Sequence, residues 1–96
     1  MSKKAGYLRR YLEVIRQIRR QPYIGLAELV EKVRGVMAYY DDEGNVGVSK
    51  RTILRDLQEI RDTLDIGIEH CRSRMGYYIP QDEQADFDLE HVLEIL

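Results

Sequence analysis

The sequence predicts a mainly helical α+β domain, with three helices followed by a β-hairpin. Three stretches carry apolar residues at the three- and four-residue spacing of an amphipathic helix, and the stretch after them alternates as a β-strand does. The chain has 96 residues, of which 44% are hydrophobic, which is enough for one modest core. We therefore expect one domain over residues 1–80, then an acidic linker and the start of a connecting or dimerising helix over residues 81–96.

Composition narrows the class of protein. The sequence holds no apolar run near the ~20 residues of a membrane span, and its Met-Ser-Lys-Lys start leads into no signal-peptide core. Cys71 is the single cysteine, so a disulfide framework or a cysteine-rich metal site is not expected. These features predict a cytoplasmic protein without a cofactor.

The charge is unevenly distributed along the chain. The net charge of −2 argues against a nucleic-acid partner. However, residues 1–20 contain seven basic residues and one acidic residue, whereas residues 81–96 contain six acidic residues and no Lys or Arg. Because a ligand senses charge over a Debye length of ~8 Å, local patches matter more than the total.

Residues 6–20 are predicted to form the first helix, because Leu8, Leu12 and Ile15 align on one face. Pro22 ends it, since proline cannot continue a helix. Another face of this helix carries a cluster of arginines: Arg9, Arg16 and Arg20, with Arg10 a little further round. They could simply keep that face in solvent, but the local excess of basic residues favours an auxiliary role in contacting phosphates.

A second helix is predicted over residues 26–40, after a very short strand at residues 23–24. Its apolar stripe consists of Leu26, Leu29, Val30, Val33, Met37 and Tyr40. Residues 41–47 form a polar, glycine-bearing loop with three acidic residues. The loop lacks the spacing of a calcium-binding loop, so we expect no metal site there.

A third helix is predicted over residues 49–64. Ser49 is suited to cap its first turn, and Val48 and Ile53 have the spacing of a hydrophobic staple. The apolar stripe of this helix consists of Ile53, Leu57, Ile60 and Leu64. A helix with this stripe is expected to be anchored on one face.

The opposite face of the third helix is polar. Arg51, Arg55 and Gln58 lie roughly 140–200° around the helix from Ile53, and arginine and glutamine are suited to base edges. Asp56 lies beside the apolar stripe, where we expect it to orient an arginine or cap locally. Leu54 borders the polar face, so it either packs on the second helix or meets a thymine methyl group.

The next segment predicts a β-hairpin. Residues 66–71 alternate as a strand, residues 72–76 form a basic turn, and residues 77–79 return. His70 and Cys71 are adjacent, so their side chains point to opposite faces of the strand. We therefore interpret both as structural residues and not as metal ligands.

This order of elements is that of a winged helix-turn-helix. The run VSKRTILRDL, residues 48–57, resembles the (V/I)SxRTIxRDL pattern of DeoR-type helix-turn-helix domains. The run GYYI, residues 76–79, resembles the end of their wing. The chain is most similar to the N-terminal DNA-binding domain of WYL-domain transcriptional regulators. The resemblance implies that an effector, a ligand or a nucleic acid, would bind a C-terminal domain that residues 1–96 do not include.

Two features depart from this family pattern. About a dozen residues, 36–47, connect the second and third helices, whereas a tight helix-turn-helix uses three or four. Leu54 also stands where the family often has a polar residue such as glutamine. The long connection is expected to alter how the second helix supports the third.

The residues and the resemblance together predict a sequence-specific DNA-binding domain of a bacterial-type transcriptional regulator. The recognition helix, residues 49–64, would enter the major groove of double-stranded DNA, and the wing turn, residues 72–76, would contact the backbone or minor groove. The expected DNA contacts are Ser49, Lys50, Arg51, Thr52, Arg55, Gln58, Arg72, Ser73 and Arg74. A homodimer on a repeated or palindromic site would raise affinity.

Two other classes of function are alternatives. A winged helix can serve as a protein-protein interaction module without binding DNA, and the acidic overall balance favours that alternative. An enzyme is the third class, but the sequence has no phosphate loop, metal cluster or nucleophile elbow. We therefore expect no catalytic residues.

Overall fold

The computed structural model describes residues 3–40 and 48–80. In that part of the chain, three helices precede a two-stranded antiparallel sheet, so the predicted mainly helical α+β class is confirmed. The elements are α1 (Lys3–Arg20), α2 (Leu26–Tyr40), α3 (Lys50–Thr63), β1 (Glu69–Cys71) and β2 (Gly76–Tyr78). The predicted loop 41–47 and C-terminal segment 81–96 lie outside the described residues.

The helix predictions agree closely with these bounds. The prediction for α2 matches at both ends, and α1 begins three residues earlier than predicted. Because α2 continues to Tyr40, the connection to α3 begins after that residue and not at residue 36, as the comparison with the family pattern assumed. The predicted third helix is α3 with its two capping residues, Ser49 and Leu64. Asp65 then adopts a left-handed conformation, with φ of 58°, which takes the chain out of the helix. None of the described helices is long and apolar enough to cross a membrane.

The first strand was predicted too long. Residues 66–71 alternate in sequence, but β1 starts only at Glu69. The Ile68 N–H donates to the Ile66 carbonyl at 2.9 Å, which closes a three-residue turn of the kind found at strand ends. Both isoleucines are buried, so burial in the core produced the alternation that suggested a strand.

The hydrophobic core lies between one face of each helix and the chain around the sheet. Its buried members include Val14, Ile15 and Ile18 of α1, Leu29, Val30 and Val33 of α2, Ile53, Leu57 and Ile60 of α3, and Ile24, Ile66, Ile68 and Ile79. Val14 was not part of the predicted stripe. It is fully buried because α1 packs against both of the other helices.

The hairpin is attached to the connection between α1 and α2. Within the hairpin, His70 pairs with Tyr77 in antiparallel register. On the other side, the Tyr23 N–H donates to the Tyr77 carbonyl at 2.7 Å, and the Tyr77 N–H donates to the Ile24 carbonyl at 2.8 Å. The short strand expected at residues 23–24 is therefore a single bridge to Tyr77.

Gly76 is required by this attachment. A Cβ atom on Gly76 would lie 1.9 Å from the Tyr23 carbonyl oxygen and 2.2 Å from the carbonyl carbon. The obstacle is backbone, and the same backbone donates to Tyr77, so it cannot move without loosening the bridge. Tyr23 itself has a positive φ of 69°, a conformation uncommon for residues other than glycine.

We expect Gly76→Ala to destabilise the domain by about 1–3 kcal/mol, the range typical of an overfilled, well-packed site. Gly35→Ala is the matched control. Gly35 lies in α2, and an added Cβ meets nothing within 4 Å, so alanine there should stabilise by about 0.5–1 kcal/mol. Urea unfolding followed by circular dichroism measures both, and equal effects would contradict the close approach at Tyr23.

Candidate nucleic-acid interface

The start of α3 is capped as predicted. The Thr52 N–H donates to Ser49 Oγ at 3.2 Å, and the Ile53 N–H donates to the Ser49 carbonyl at 3.0 Å. The hydroxyl oxygens of Ser49 and Thr52 lie 3.1 Å apart. Val48 and Ile53 are both buried in the core cluster, consistent with the predicted staple. The two hydroxyl residues are thus brought together at the helix start, where they stabilise its first turn.

Arg34 of α2 holds the residue that leads into α3. Its Nε and Nη2 atoms donate to the Val48 carbonyl at 3.1 and 2.8 Å. This contact fixes the entry to α3 from a neighbouring helix, independently of residues 41–47. No local sequence pattern indicates it, because the two residues are 14 positions apart.

An ion pair fastens the inner side of α3 to α1. Arg10 Nη2 donates to Asp56 Oδ1 at 2.9 Å, and Arg10 Nε donates to Asp56 Oδ2. Asp56 is 1% exposed, and its hydrogen bonds from Arg10 raise the pKa of the guanidinium while burial opposes that shift. The expectation that Asp56 orients an arginine is confirmed.

The ion pair also bears on the phosphate-contacting role predicted for the arginines of α1. Arg10 points its guanidinium into the domain, toward Asp56. Arg16 donates to Glu13 Oε1 at 2.9 Å. The auxiliary phosphate-contacting role expected of this group therefore does not apply to Arg10, whose guanidinium is used in packing α1 against α3.

A second polar contact joins the same two helices. The Tyr11 hydroxyl donates to Glu59 Oε1 at 2.8 Å. Burial of the phenol, together with this hydrogen bond, raises the pKa of Tyr11 to about 12. Glu59 follows Asp56 by three positions, so the two contacts are one turn apart along α3.

The outer side of α3 displays three cations. Lys50, Arg51 and Arg55 are exposed, and within residues 3–40 and 48–80 their side chains form no hydrogen bond or ion pair. Gln58 is also exposed, but its Nε2 atom donates to both carboxylate oxygens of Asp62 at 3.1 and 3.2 Å. Gln58 would therefore have to exchange partners before it could contact a ligand.

The turn of the hairpin carries the other candidate residues. Arg72 is exposed, whereas the guanidinium of Arg74 lies 4.4 Å above the centre of the Tyr23 ring. Ser73 Oγ lies 3.4 Å from Cys71 Sγ, and this hydrogen bond lowers the pKa of the thiol. Only Arg72 of these three thus extends from the turn without a described side-chain partner.

His70 and Cys71, which we interpreted as structural residues and not as metal ligands, contact other side chains. The His70 ring contacts Tyr77 edge-on at 4.8 Å between centroids, and Cys71 faces Ser73. Across the described ranges, no three metal-ligating side chains lie together.

The candidate residues form two groups, one at the start and on the outer side of α3 and one in the hairpin turn. No hydrogen bond or ion pair within the described residues joins Lys50, Arg51, Arg55 or Gln58 to the turn. Sequence reasoning missed three residues that position these groups: Arg10, Arg34 and Tyr23. Their partners are distant in the chain, so periodicity carries no signal for them.

Comparison with protein-family models, curated proteins and solved structures found no significant match for this chain. The likeness to DeoR-type and WYL-domain regulators therefore remains a prediction that depends on the motif residues.

We expect Arg10→Met to cost about 2–4 kcal/mol of unfolding free energy, because it leaves the Asp56 carboxylate buried without a cation. Asp56→Leu should cost less, since Arg10 is 20% exposed and can turn to solvent. The double variant Arg10→Met/Asp56→Leu should recover much of the loss, because packed apolar groups can replace a buried ion pair. Urea unfolding of all four proteins gives the coupling energy, and strictly additive losses would contradict the pairing.

Alkaline pH should weaken the contact between Tyr11 and Glu59. The folded-state pKa of Tyr11 is about 12, above the usual 10.0, so its stabilisation is complete below pH 10 and is lost as pH rises toward 12. The unfolding free energy of wild type should exceed that of Tyr11→Phe by about 0.5–1.5 kcal/mol at pH 8, and this difference should shrink above pH ~10. Urea unfolding at both pH values measures it, with Tyr7→Phe as the control. A difference that stayed constant with pH would contradict this account.

Proposed function

We propose that this domain is a winged helix that binds double-stranded DNA sequence-specifically and belongs to a bacterial-type transcriptional regulator. The observation that carries the proposal is the outer face of α3, where Arg51 and Arg55 are exposed without a described partner. The inner face of the same helix is pinned by Asp56 and by the apolar stripe. A rigid helix with one anchored face and one cationic face suits insertion into a DNA groove.

The dimensions and chemistry of α3 support the major groove as its place of binding. An α-helix with its side chains is about 10–12 Å in diameter, which matches the width of the major groove, about 12 Å. The 14 residues of α3 give a helix about 21 Å long to lie in that groove. Arg51 and Arg55 would contact guanine edges or flanking phosphates, with Lys50 contributing charge. Ser49 and Thr52 would bring the positive end of the helix dipole close to a phosphate.

The hairpin turn would supply sequence-independent contacts. Arg72 is exposed, and Arg74 stacks on Tyr23. Stacking engages the face of a guanidinium and leaves its N–H edge able to donate to phosphate oxygens. Ser73 lies between them and would add a hydroxyl donor. These residues would contact the DNA backbone or the adjacent minor groove while α3 contacts the base edges.

The family likeness extends the proposal to the whole regulator. Such a protein would act in the cytoplasm as a homodimer on a repeated site, because a single small domain makes few contacts. An effector, either a ligand or a nucleic acid, would bind a further C-terminal domain.

A protein-interaction module is the second candidate. The net charge of −2 favours it, as do two strongly exposed apolar side chains, Tyr39 at 82% and Met75 at 75%. Salt dependence separates the two candidates. Affinity for duplex DNA falls steeply with salt as counterions are released, and failure to bind random duplex at about 50 mM salt would favour the protein partner.

The test begins with selection of preferred duplexes from a random pool by the 96-residue chain. Arg51→Ala should then weaken binding to the selected duplex by about 1–3 kcal/mol, roughly 5- to 150-fold in Kd, and relax specificity at one position. Arg72→Ala should weaken binding to selected and random duplexes alike and reduce the salt slope by about one. Fluorescence anisotropy at several salt concentrations measures both.

Lys32→Ala provides the charge-matched control. Lys32 is an exposed residue of α2 whose ammonium lies 4.0 Å from Glu28, outside the proposed interface. Its removal should leave binding nearly unchanged. Equal, sequence-independent losses for Arg51→Ala and Arg72→Ala would contradict the division between reading helix and supporting turn.

A further inference from the structure

Leu54 occupies an unusual position on α3. Its side chain is 47% exposed, so it does not pack fully into the domain. Arg51 lies one turn before it, Arg55 follows it, and Gln58 lies one turn after it, and all three are exposed. Residues three and four apart are neighbours on a helix surface, so Leu54 is an apolar group set among polar and cationic ones.

This setting does not fit a protein-docking site centred on Leu54. The core of a protein interface is usually apolar, whereas every exposed neighbour of Leu54 on α3 is polar or charged: Lys50, Arg51, Arg55 and Gln58. The other exposed large hydrophobic residues of the described chain belong to other segments: Tyr7 to α1, Tyr39 to α2 and Met75 to the hairpin turn. Leu54 therefore has no apolar companion on its own helix face.

A suitable ligand must combine dense negative charge with isolated apolar groups. The major groove of DNA does so, because phosphates line it and each thymine projects a single C5-methyl group into it. We propose that Leu54 determines specificity by packing against a thymine methyl beside the bases or phosphates that Arg51 and Arg55 contact. This inference rests on the DNA-binding function proposed above and adds one chemical group to what the helix reads.

The thymine methyl can be removed without changing any hydrogen bond. Deoxyuridine has the same donors and acceptors as thymidine and lacks only the C5-methyl group. Burial of one methyl group corresponds to about a three- to five-fold change in affinity. Replacing thymine by uracil thus measures the contact directly. Replacing Leu54 by alanine removes the protein side of the same contact.

The experiment measures binding of the 96-residue chain to its selected duplex, first with every thymine replaced by uracil and then with single replacements. We expect wild type to bind about three- to five-fold more weakly when uracil occupies one particular position. Leu54→Ala should bind the thymine and uracil duplexes equally. Circular dichroism checks that the variant is folded, as expected for an exposed site.

Met75→Ala is the matched control, because it also shortens an exposed apolar side chain but lies in the turn. It should keep the thymine-to-uracil ratio of wild type even if overall affinity changes. The inference is overturned if wild type ignores uracil at every position, if Leu54→Ala retains the uracil penalty, or if the selected duplex holds no thymine. In those cases salt-dependent DNA binding still stands, whereas absence of binding to any duplex removes both proposals.

Discussion

The ion pair between Arg10 and Asp56 is the buried polar contact on which the orientation of α3 depends, together with the apolar stripe of this helix. A carboxylate that is 1% exposed is costly to bury unless a cation meets it with good geometry, and the two-pronged contact from Arg10 provides that geometry. Because Asp56 lies on the inner side of α3, the pair sets which way this helix faces. The Tyr11–Glu59 contact, one turn further along, fixes the same rotation. The outward direction of Arg51 and Arg55 follows from these inner contacts.

Both ends of α3 are held by arginines that donate to backbone carbonyls. Arg34 reaches the Val48 carbonyl before the helix, and Arg61, within α3, reaches the Ile68 carbonyl in the chain that follows it. A helix held at its ends and along its inner side loses little conformational freedom on binding, which favours affinity. The hairpin is secured separately, through the close approach of Gly76 to Tyr23. The cations of α3 and those of the hairpin turn therefore lie on segments that are held in place before any ligand binds.

Much of the fold could be predicted from local patterns, whereas the contacts that hold α3 and the hairpin in place could not. The apolar stripe from Ile53 to Ile60 indicated which side of α3 is buried. The opposite side of the helix was therefore expected to carry the exposed cations. Arg10 and Asp56 are 46 positions apart, so their pairing depends on tertiary packing that periodicity does not encode. The late start of β1 at Glu69 and the engagement of Gln58 by Asp62 depend on a local turn and on a side-chain conformation. The sequence therefore predicted the buried and exposed sides of α3 better than it predicted the contacts that position this helix.

If the domain binds DNA as proposed, the outer face of α3 meets the duplex while its inner contacts with α1 stay intact. An NMR titration of the ¹⁵N-labelled chain with duplex DNA tests this most directly, with the Arg10 Nε–H as a reporter of the ion pair. We expect salt-sensitive shifts of backbone amides at the start of α3 and in the hairpin turn, with the Arg10 Nε–H resonance retained and slow to exchange. Shifts concentrated on α2 with α3 unchanged, or loss of the Arg10 resonance on binding, would contradict the account.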